Sequence, residues 1–194
     1  MPSLSESERQ ALLDLARQSV TEAVSRGRIL ADIPAGGIFL QRHAVFVTLH
    51  IGKRLRGCIG VVEPEEPLGD SVVRCAASAA LQDPRFPAVR PDELSDLRIE
   101  ISLLSPPLSI RPEEIEIGRH GLLISRGRQR GLLLPQVAVE HHLSAEQFLA
   151  ETCRKAQLPP DSWRDMDANI CGFTCEIFSD EPRPANSSGE EKVR

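Results

Sequence analysis

The sequence predicts an α+β fold in which a largely antiparallel sheet is flanked by helices. Two hairpin patterns lie at 44–62 and 122–134, and the helical patterns do not alternate with single strands. Regular alternation would favour a parallel sheet, whereas hairpins build antiparallel ones. The 194 residues are 41% hydrophobic and 26% charged, so the chain is long and apolar enough for one compact domain with a real core.

The chain begins with the pattern of an amphipathic helix. Ser5 followed by Glu8 is a capping-box pattern. Apolar residues then recur every four positions from Leu12 to Val24, and Gly27 is suited to end the helix. We therefore expect a helix with one buried face.

A hairpin and a second helix follow. Residues 44–51 are largely apolar with several β-branched members, which predicts a strand, and Gly52-Lys53 forms a turn to a return strand at 54–62. Residues 68–82 are rich in alanine and predict a helix whose small-residue face can lie close to a sheet.

The second half repeats this mixture of hairpin and helix. The expected elements are a strand at 97–103, a hairpin at 122–134, helices at 135–142 and 144–157, and a strand at 172–178. Residues 181–194 are rich in proline, serine and charge and are predicted to form a disordered tail.

Composition argues against several classes of protein. No apolar run approaches the ~20 residues of a membrane span, and the N-terminus lacks the apolar stretch of a signal peptide. Five cysteines in such a chain indicate reduced thiols, so we expect a cytoplasmic protein. A net charge of −5, and a basic loop at 127–131 without aromatic residues, argue against nucleic-acid binding.

Two groups of metal-binding residue types have unsuitable spacing. In a strand, Cys171 and Cys175 would lie ~13 Å apart, which is too far for one ion. On a helix, His141 and His142 would point ~100° apart. We therefore expect neither a metal ion nor a cofactor.

The candidate site centres on the segment Leu55-Arg56-Gly57-Cys58-Ile59-Gly60. Strand alternation places Arg56 and Cys58 on one face, where a guanidinium would favour the reactive thiolate. Gly57 and Gly60 leave the backbone bare, so that another group can approach. The alternative is a buried structural cysteine.

Four other polar residues complete the candidate set: Asp83, Arg85, Glu100 and His120. A cysteine, a histidine and a carboxylate are the parts of a nucleophile with its base and orienting group. Each also has an ordinary structural explanation: Asp83 as a turn residue, Arg85 as an ion-pair partner, Glu100 as strand surface and His120 as a loop residue.

Several segments occur together in a characteristic order. They are Leu55-Arg56-Gly57-Cys58-Ile59-Gly60, Asp83-Pro84-Arg85-Phe86, Glu100-Ile101-Ser102-Leu103-Leu104-Ser105-Pro106-Pro107, His120-Gly121-Leu122, Leu133-Leu134-Pro135-Gln136-Val137-Ala138, and Cys153-Arg154-Lys155-Ala156 followed by Trp163. Over residues 8–180 the chain thereby resembles the AMMECR domain family, specifically its microbial branch, often labelled AmmeMemoRadiSam system protein A.

The resemblance implies a single α+β domain at 5–180 with two lobes, and a cleft between them bordered by Arg56–Gly60. It also implies association with a MEMO-like protein and a radical S-adenosylmethionine enzyme, but it supplies no reaction. Gln157 stands where the family usually has glycine, which predicts a strained helix end.

Two main hypotheses for the function remain open, beside a weaker third one, RNA or nucleotide binding. In one, Cys58 is a nucleophile or redox thiol, with Arg56 lowering its pKa, His120 as base and Glu100 nearby. In the other, favoured because the implied partners already carry cofactor chemistry, Arg56 and Arg85 bind a small acidic ligand, with Gly57, Gly60 and Asp83 shaping the site. Such a module would hold or present a substrate to its partners.

Overall fold

The structure, a computed structural model, describes residues 4–180. These residues divide into two compact units, the first comprising 4–103 and 177–180 and the second comprising 104–176. The tail predicted at 181–194 lies outside the described residues. The assignment of 5–180 to a single domain stays a prediction, as does a cleft.

Residues 4–180 contain four α-helices and eight strands. The helices are α1 (Glu6–Arg26), α2 (Leu68–Leu81), α3 (Pro135–Glu140) and α4 (Ala145–Lys155). The strands are β1 (Ala44–Ile51), β2 (Arg54–Val61), β3 (Leu97–Leu104), β4 (Leu108–Ser109), β5 (Gly121–Arg126), β6 (Gln129–Leu133), β7 (Asn169–Phe173) and β8 (Cys175–Ser179). Two four-stranded sheets result, in the orders β2-β1-β3-β8 and β4-β7-β5-β6, which confirms the α+β fold. Of these helices, none is long and apolar enough to cross a membrane.

Helix α1 has the ends that its sequence predicts. The hydroxyl of Ser5 accepts a hydrogen bond from the backbone N–H of Glu8, and the Glu8 carboxylate accepts the backbone N–H of Ser5 at 2.9 Å. Gly27 ends the helix in the left-handed conformation, with φ of 64°. These caps satisfy backbone groups that a helix end otherwise leaves unpaired.

The first unit is held by the close approach of α2 to the hairpin β1-β2. The alanine face of α2 is buried, and a Cβ added at Gly57 would lie 2.1 Å from the carbonyl oxygen of Ala79. Only glycine allows a helix backbone to come this close to a strand. The predicted small-residue contact is therefore confirmed.

The second unit uses the same device. Helix α4 packs on β5 and β6, and a Cβ added at Gly131 would lie 2.3 Å from the backbone nitrogen of Ala156. The core of this unit contains Leu122, Phe148 and Leu149, all fully buried.

The last strand differs from its prediction. The pattern at 172–178 predicts one strand, whereas the structure has β7 in one sheet and β8 in the other, interrupted at Thr174. Ser105 fixes the interruption, because its backbone N–H donates to the Thr174 carbonyl at 2.9 Å and its hydroxyl accepts the Thr174 N–H at 2.9 Å.

Candidate functional site

Cys58 lies on β2, which is the edge strand of the first sheet, and pairs with Thr48 of β1. The backbone N–H of Cys58 points away from β1, so Thr48 and Cys58 form a non-hydrogen-bonded pair of the antiparallel ladder. In such a pair the two side chains lie closer together than in a hydrogen-bonded one. The Thr48 hydroxyl accordingly donates a hydrogen bond to the Cys58 sulfur at 3.3 Å. The thiol is therefore partly buried and has a neighbouring donor.

Asp83 and Arg85 hold the main chain of Cys58 from the open side of the edge strand. The Asp83 carboxylate accepts the Cys58 backbone N–H at 2.9 Å, and the Arg85 guanidinium donates to the Cys58 carbonyl at 3.1 Å. The two side chains also pair with each other, at 2.9 and 2.7 Å. The edge of the sheet is thus closed at the residue that carries the thiol.

Hydrogen bonding between Asp83 and Arg85 shifts the pKa values of both side chains. The Asp83 side chain is only 2% exposed, and its hydrogen bonds from Arg85 hold the pKa of this carboxyl well below its ordinary value. In turn, the hydrogen bonds that Asp83 accepts raise the pKa of the Arg85 guanidinium. Both groups remain charged at neutral pH, so the hold on Cys58 persists there.

Arg56 is also engaged, but away from the thiol. Its guanidinium donates to both carboxylate oxygens of Glu93, at 3.0 and 2.9 Å, and to the carbonyls of Pro87 and Ala88, at 2.6 and 3.0 Å. The hydrogen bonds from Arg56 to the Glu93 carboxylate lower the pKa of this group to about 2. Four of the five guanidinium N–H groups have partners, which leaves little capacity for a ligand.

The hairpin contains a bulge that explains the direction of Arg56. His50 pairs with Leu55 but Leu49 pairs with Gly57, so Arg56 is the extra residue of β2. A bulge interrupts the alternation of side chains and re-aims the bulged residue. We expected Arg56 and Cys58 to share one face of the strand because we assumed uninterrupted alternation. The bulge removes that assumption.

The space beside the two predicted ligand-binding glycines is occupied by the protein itself. Gly57 is covered by the backbone of Ala79, and a Cβ at Gly60 would lie 2.3 Å from the ring of Phe46. Both glycines therefore have a packing role, and contact with a ligand stays a prediction.

Glu100 and Ser102 lie on the sheet face that carries Cys58. On β3, Ile99 and Ile101 point into the core, so Glu100 and Ser102 point to the other face, as Thr48 and Cys58 do on their strands. Glu100 forms an ion pair with Arg98 at 3.6 Å. Ser102 is 1% exposed, and its hydroxyl has no hydrogen-bond partner among residues 4–180. A buried hydroxyl without a partner is rare in proteins.

His120 belongs to the second unit. Its Nδ1 accepts the backbone N–H of Glu116 at 3.1 Å, so the neutral ring carries its proton on Nε2. The ring lines a cavity of about 410 Å³ together with Ser105, Ser109 and Thr174. In this state His120 presents a donor, and a role as base for Cys58 would require the bond from Glu116 to break. That role stays a prediction.

The other cysteines are mostly protected. Burial raises the pKa of Cys75 to about 11 and that of Cys175 to about 12, and it also raises the pKa of Cys153. Cys171 is half-buried on β7. Within residues 4–180, no three ligand-type side chains are grouped as a metal ion would require.

Thr48 and Glu93 belong to this site although no motif of the sequence singles them out. Ser102 lies within the family segment at 100–107, and alternation along β3 places it on the same face as Glu100. Thr48 faces Cys58 only because of the bulge, and Glu93 reaches Arg56 from a separate 3₁₀ turn at Pro91–Glu93.

Comparison with known proteins gives one consistent result. A family model described as AMMECR1 matches residues 13–178. A protein from Thermococcus gammatolerans is 45% identical over 184 residues, 88% of this chain and 89% of that one. A protein from Methanothermobacter thermautotrophicus is 44% identical over 189 residues, 92% of this chain and 97% of that one. The crystal structure of the uncharacterized protein PH0010 from Pyrococcus horikoshii is 39% identical, has a TM-score of 0.86, and is matched over 93% of this chain and 96% of that one.

Proposed function

The chain belongs to the AMMECR1 family, and from this premise we propose that it acts through the thiol of Cys58, as a nucleophile toward an electrophilic carbon of a small substrate. The segments that carry the family resemblance include the two that surround this cysteine, Leu55–Gly60 and Asp83–Phe86.

One observation carries the proposal: the charged side chains around Cys58 are hydrogen-bonded within the protein, and two of them hold its main chain. Asp83 and Arg85 fix its N–H and C=O, while Arg56 is held by Glu93 and two carbonyls. The group that this framework positions is the thiol. A nucleophile held by rigid neighbours needs less reorganisation to react.

The expected chemistry is ordinary thiol substitution. The sulfur loses its proton to solvent or to a base, its lone pair forms a bond to an electrophilic carbon, and the leaving group departs with the bonding electron pair. The Thr48 hydroxyl donates to the sulfur and would stabilise its negative charge.

Selective alkylation tests the proposal. Folded protein is treated with less than one equivalent of iodoacetamide, and the label is located by peptide mapping. We expect most of the label on Cys58, because Cys75 and Cys153 are buried and desolvation raises the pKa of Cys175 to about 12. A Cys171→Ser variant should keep the reaction and Cys58→Ser should lose it. Equal labelling of Cys58 and Cys171 in the folded protein would refute the proposal.

A small acidic ligand at Arg85 is the second candidate. The Arg85 side chain is 55% exposed, and one of its terminal nitrogens, Nη1, has no hydrogen-bond partner among residues 4–180. A carboxylate or phosphate could therefore bind there. Titration with inorganic phosphate, followed by the amide shift of Phe86 in NMR spectra, tests this candidate, and an unchanged spectrum would eliminate it.

The partners that the family resemblance implies fit either candidate. A MEMO-like protein or a radical S-adenosylmethionine enzyme would exchange a substrate with the Cys58 site. Co-purification of each tagged partner with wild-type protein and with the Cys58→Ser variant tests this proposal, since the variant should still bind if the thiol acts only in chemistry.

A further inference from the structure

A second candidate binding site lies entirely within the second unit, apart from Cys58 in sequence and in unit. Helices α3 and α4 and strand β6 line a cavity of about 670 Å³. This volume lies within the range of small-molecule sites, which is about 300–1,000 Å³.

The floor of the cavity is aliphatic. Leu133, Val137 and Leu143 line it, and all three are half-buried and pack against the core of the second unit. Half-buried aliphatic side chains around a concave surface favour an apolar ligand group, because covering them removes further apolar area from water. The floor therefore selects a hydrocarbon body.

The rim of the cavity is cationic. Arg154 is paired with Glu151, but the Lys155 ammonium and the His141 ring have no side-chain hydrogen bond or ion pair within residues 4–180. Both residues lie at the C-terminal ends of helices, where a cation interacts favourably with the helix dipole. That interaction does not account for the aliphatic surface beside them. Since the whole chain has a net charge of −5, this positive rim is a local feature.

We propose that this cavity binds an amphipathic organic anion. An aliphatic body of medium length would lie on Leu133, Val137 and Leu143, and a carboxylate at its end would pair with Lys155, with His141 nearby. The combination is the usual one for a small-molecule site, a mostly apolar lining with a few polar groups that fix orientation.

Three probes separate the two parts of the proposal: octanoate has chain and charge, octanol has the chain alone, and acetate has the charge alone. Binding is followed by amide shifts of α3 and α4 in NMR titrations. We expect octanoate to bind most tightly, octanol more weakly, and acetate to cause no shift. Equal affinity for octanoate and octanol, or no shift with octanoate, would overturn the proposal.

Two substitutions assign the contacts. Lys155→Gln should weaken octanoate binding about two- to fivefold, the effect of one exposed ion pair, and leave octanol unchanged. Lys53→Gln, an exposed lysine of the first unit, is the matched control and should change neither. Leu143→Ser should weaken both ligands. Cys58→Ser should bind octanoate like the wild type, so failure of the thiol proposal and failure of this one remain distinguishable. An unchanged octanoate affinity in Lys155→Gln would contradict the assigned ion pair.

Discussion

At the scale of single residues, the contact between Thr48 and Cys58 links fold to reactivity. The Thr48 hydroxyl donates to the sulfur across the non-hydrogen-bonded pair of β1 and β2. Replacing it with valine keeps the shape and removes the donor. We expect Thr48→Val to slow alkylation of Cys58 about two- to threefold, because lost stabilisation of the thiolate is partly offset by its greater intrinsic nucleophilicity. The rate is measured with iodoacetamide at neutral pH.

The control for this variant is Thr21→Val. The Thr21 hydroxyl donates to a helix carbonyl of α1 and is exposed, so its loss should leave the Cys58 rate unchanged. A Thr48→Val variant that reacts as fast as the wild type would show that the hydroxyl does not act on the sulfur.

Gly57, the residue before Cys58, packs directly against the backbone of α2. A Cβ at this position would lie 2.1 Å from the Ala79 carbonyl oxygen, and backbone of α2 cannot move away as a flexible side chain could. We expect Gly57→Ala to destabilise the protein by roughly 2–3 kcal/mol, measured by denaturant unfolding. Gly36→Ala is the matched control, since Gly36 is extended and has no atom within 4 Å of its Cβ position. Equal stability of the two variants would contradict the packing role.

At the scale of elements, the end of α4 is strained as its sequence predicts. Gln157 follows the last turn with φ of 61°, a left-handed conformation that glycine adopts without steric cost. We expect Gln157→Gly to stabilise the protein by about 0.5–1 kcal/mol. The Gln129 side chain bonds only the backbone carbonyl of residue 157, so that contact is retained. A decrease in the unfolding midpoint would mean that the Gln157 side chain makes a contribution larger than the strain.

The elements also mark how far sequence reasoning extends. Helix caps and hairpins follow local rules, so α1 and the turn at Gly52-Lys53 were predictable. The bulge at Arg56 was not, because a two-residue turn alone would pair Thr48 with Gly57. The bulge moves the register by one, which brings Thr48 opposite Cys58 and frees Arg56 to reach Glu93.

Tertiary contacts decided the remaining differences. The apolar pattern at 172–178 reads as one strand, and the break at Thr174 depends on Ser105, which is far away in sequence. Glu93 likewise becomes the partner of Arg56 because of where the loop that follows α2 places it. Patterns of period two or 3.6 contain no information on such distant partners.

At the scale of the whole molecule, charged pairs around β2 couple stability to pH. Asp83 and Glu93 are carboxyls whose folded-state pKa values lie below their ordinary ones, because arginines hydrogen-bond to them. Such groups contribute stability that is present above the ordinary pKa and is lost as pH falls through the folded-state pKa. For Glu93 this window extends from 4.5 down to about 2. The protein should therefore lose stability as the pH falls from 4.5 to about 2.

Glu93→Gln separates this contribution from the rest. At neutral pH the variant leaves the half-buried Arg56 guanidinium without its anion, which should cost about 2 kcal/mol of unfolding free energy. As the pH falls from 4.5 to about 2 the difference from wild type should shrink, because protonation of Glu93 removes its charge there as well. Far-ultraviolet circular dichroism follows this best, since α1 and α2 contain most of the helix and lie in the first unit.

The matched control is Glu140→Gln, an exposed glutamate without an ion pair among residues 4–180, which should leave the whole pH profile unchanged. A difference between Glu93→Gln and wild type that is the same at pH 2 and pH 7 would mean that Glu93 contributes shape and not charge. In that case the charge of Glu93 would add nothing to the two bonds by which Arg56 holds the carbonyls of Pro87 and Ala88. The expected convergence in acid therefore distinguishes an ionic clamp over β2 from simple packing of the same residues.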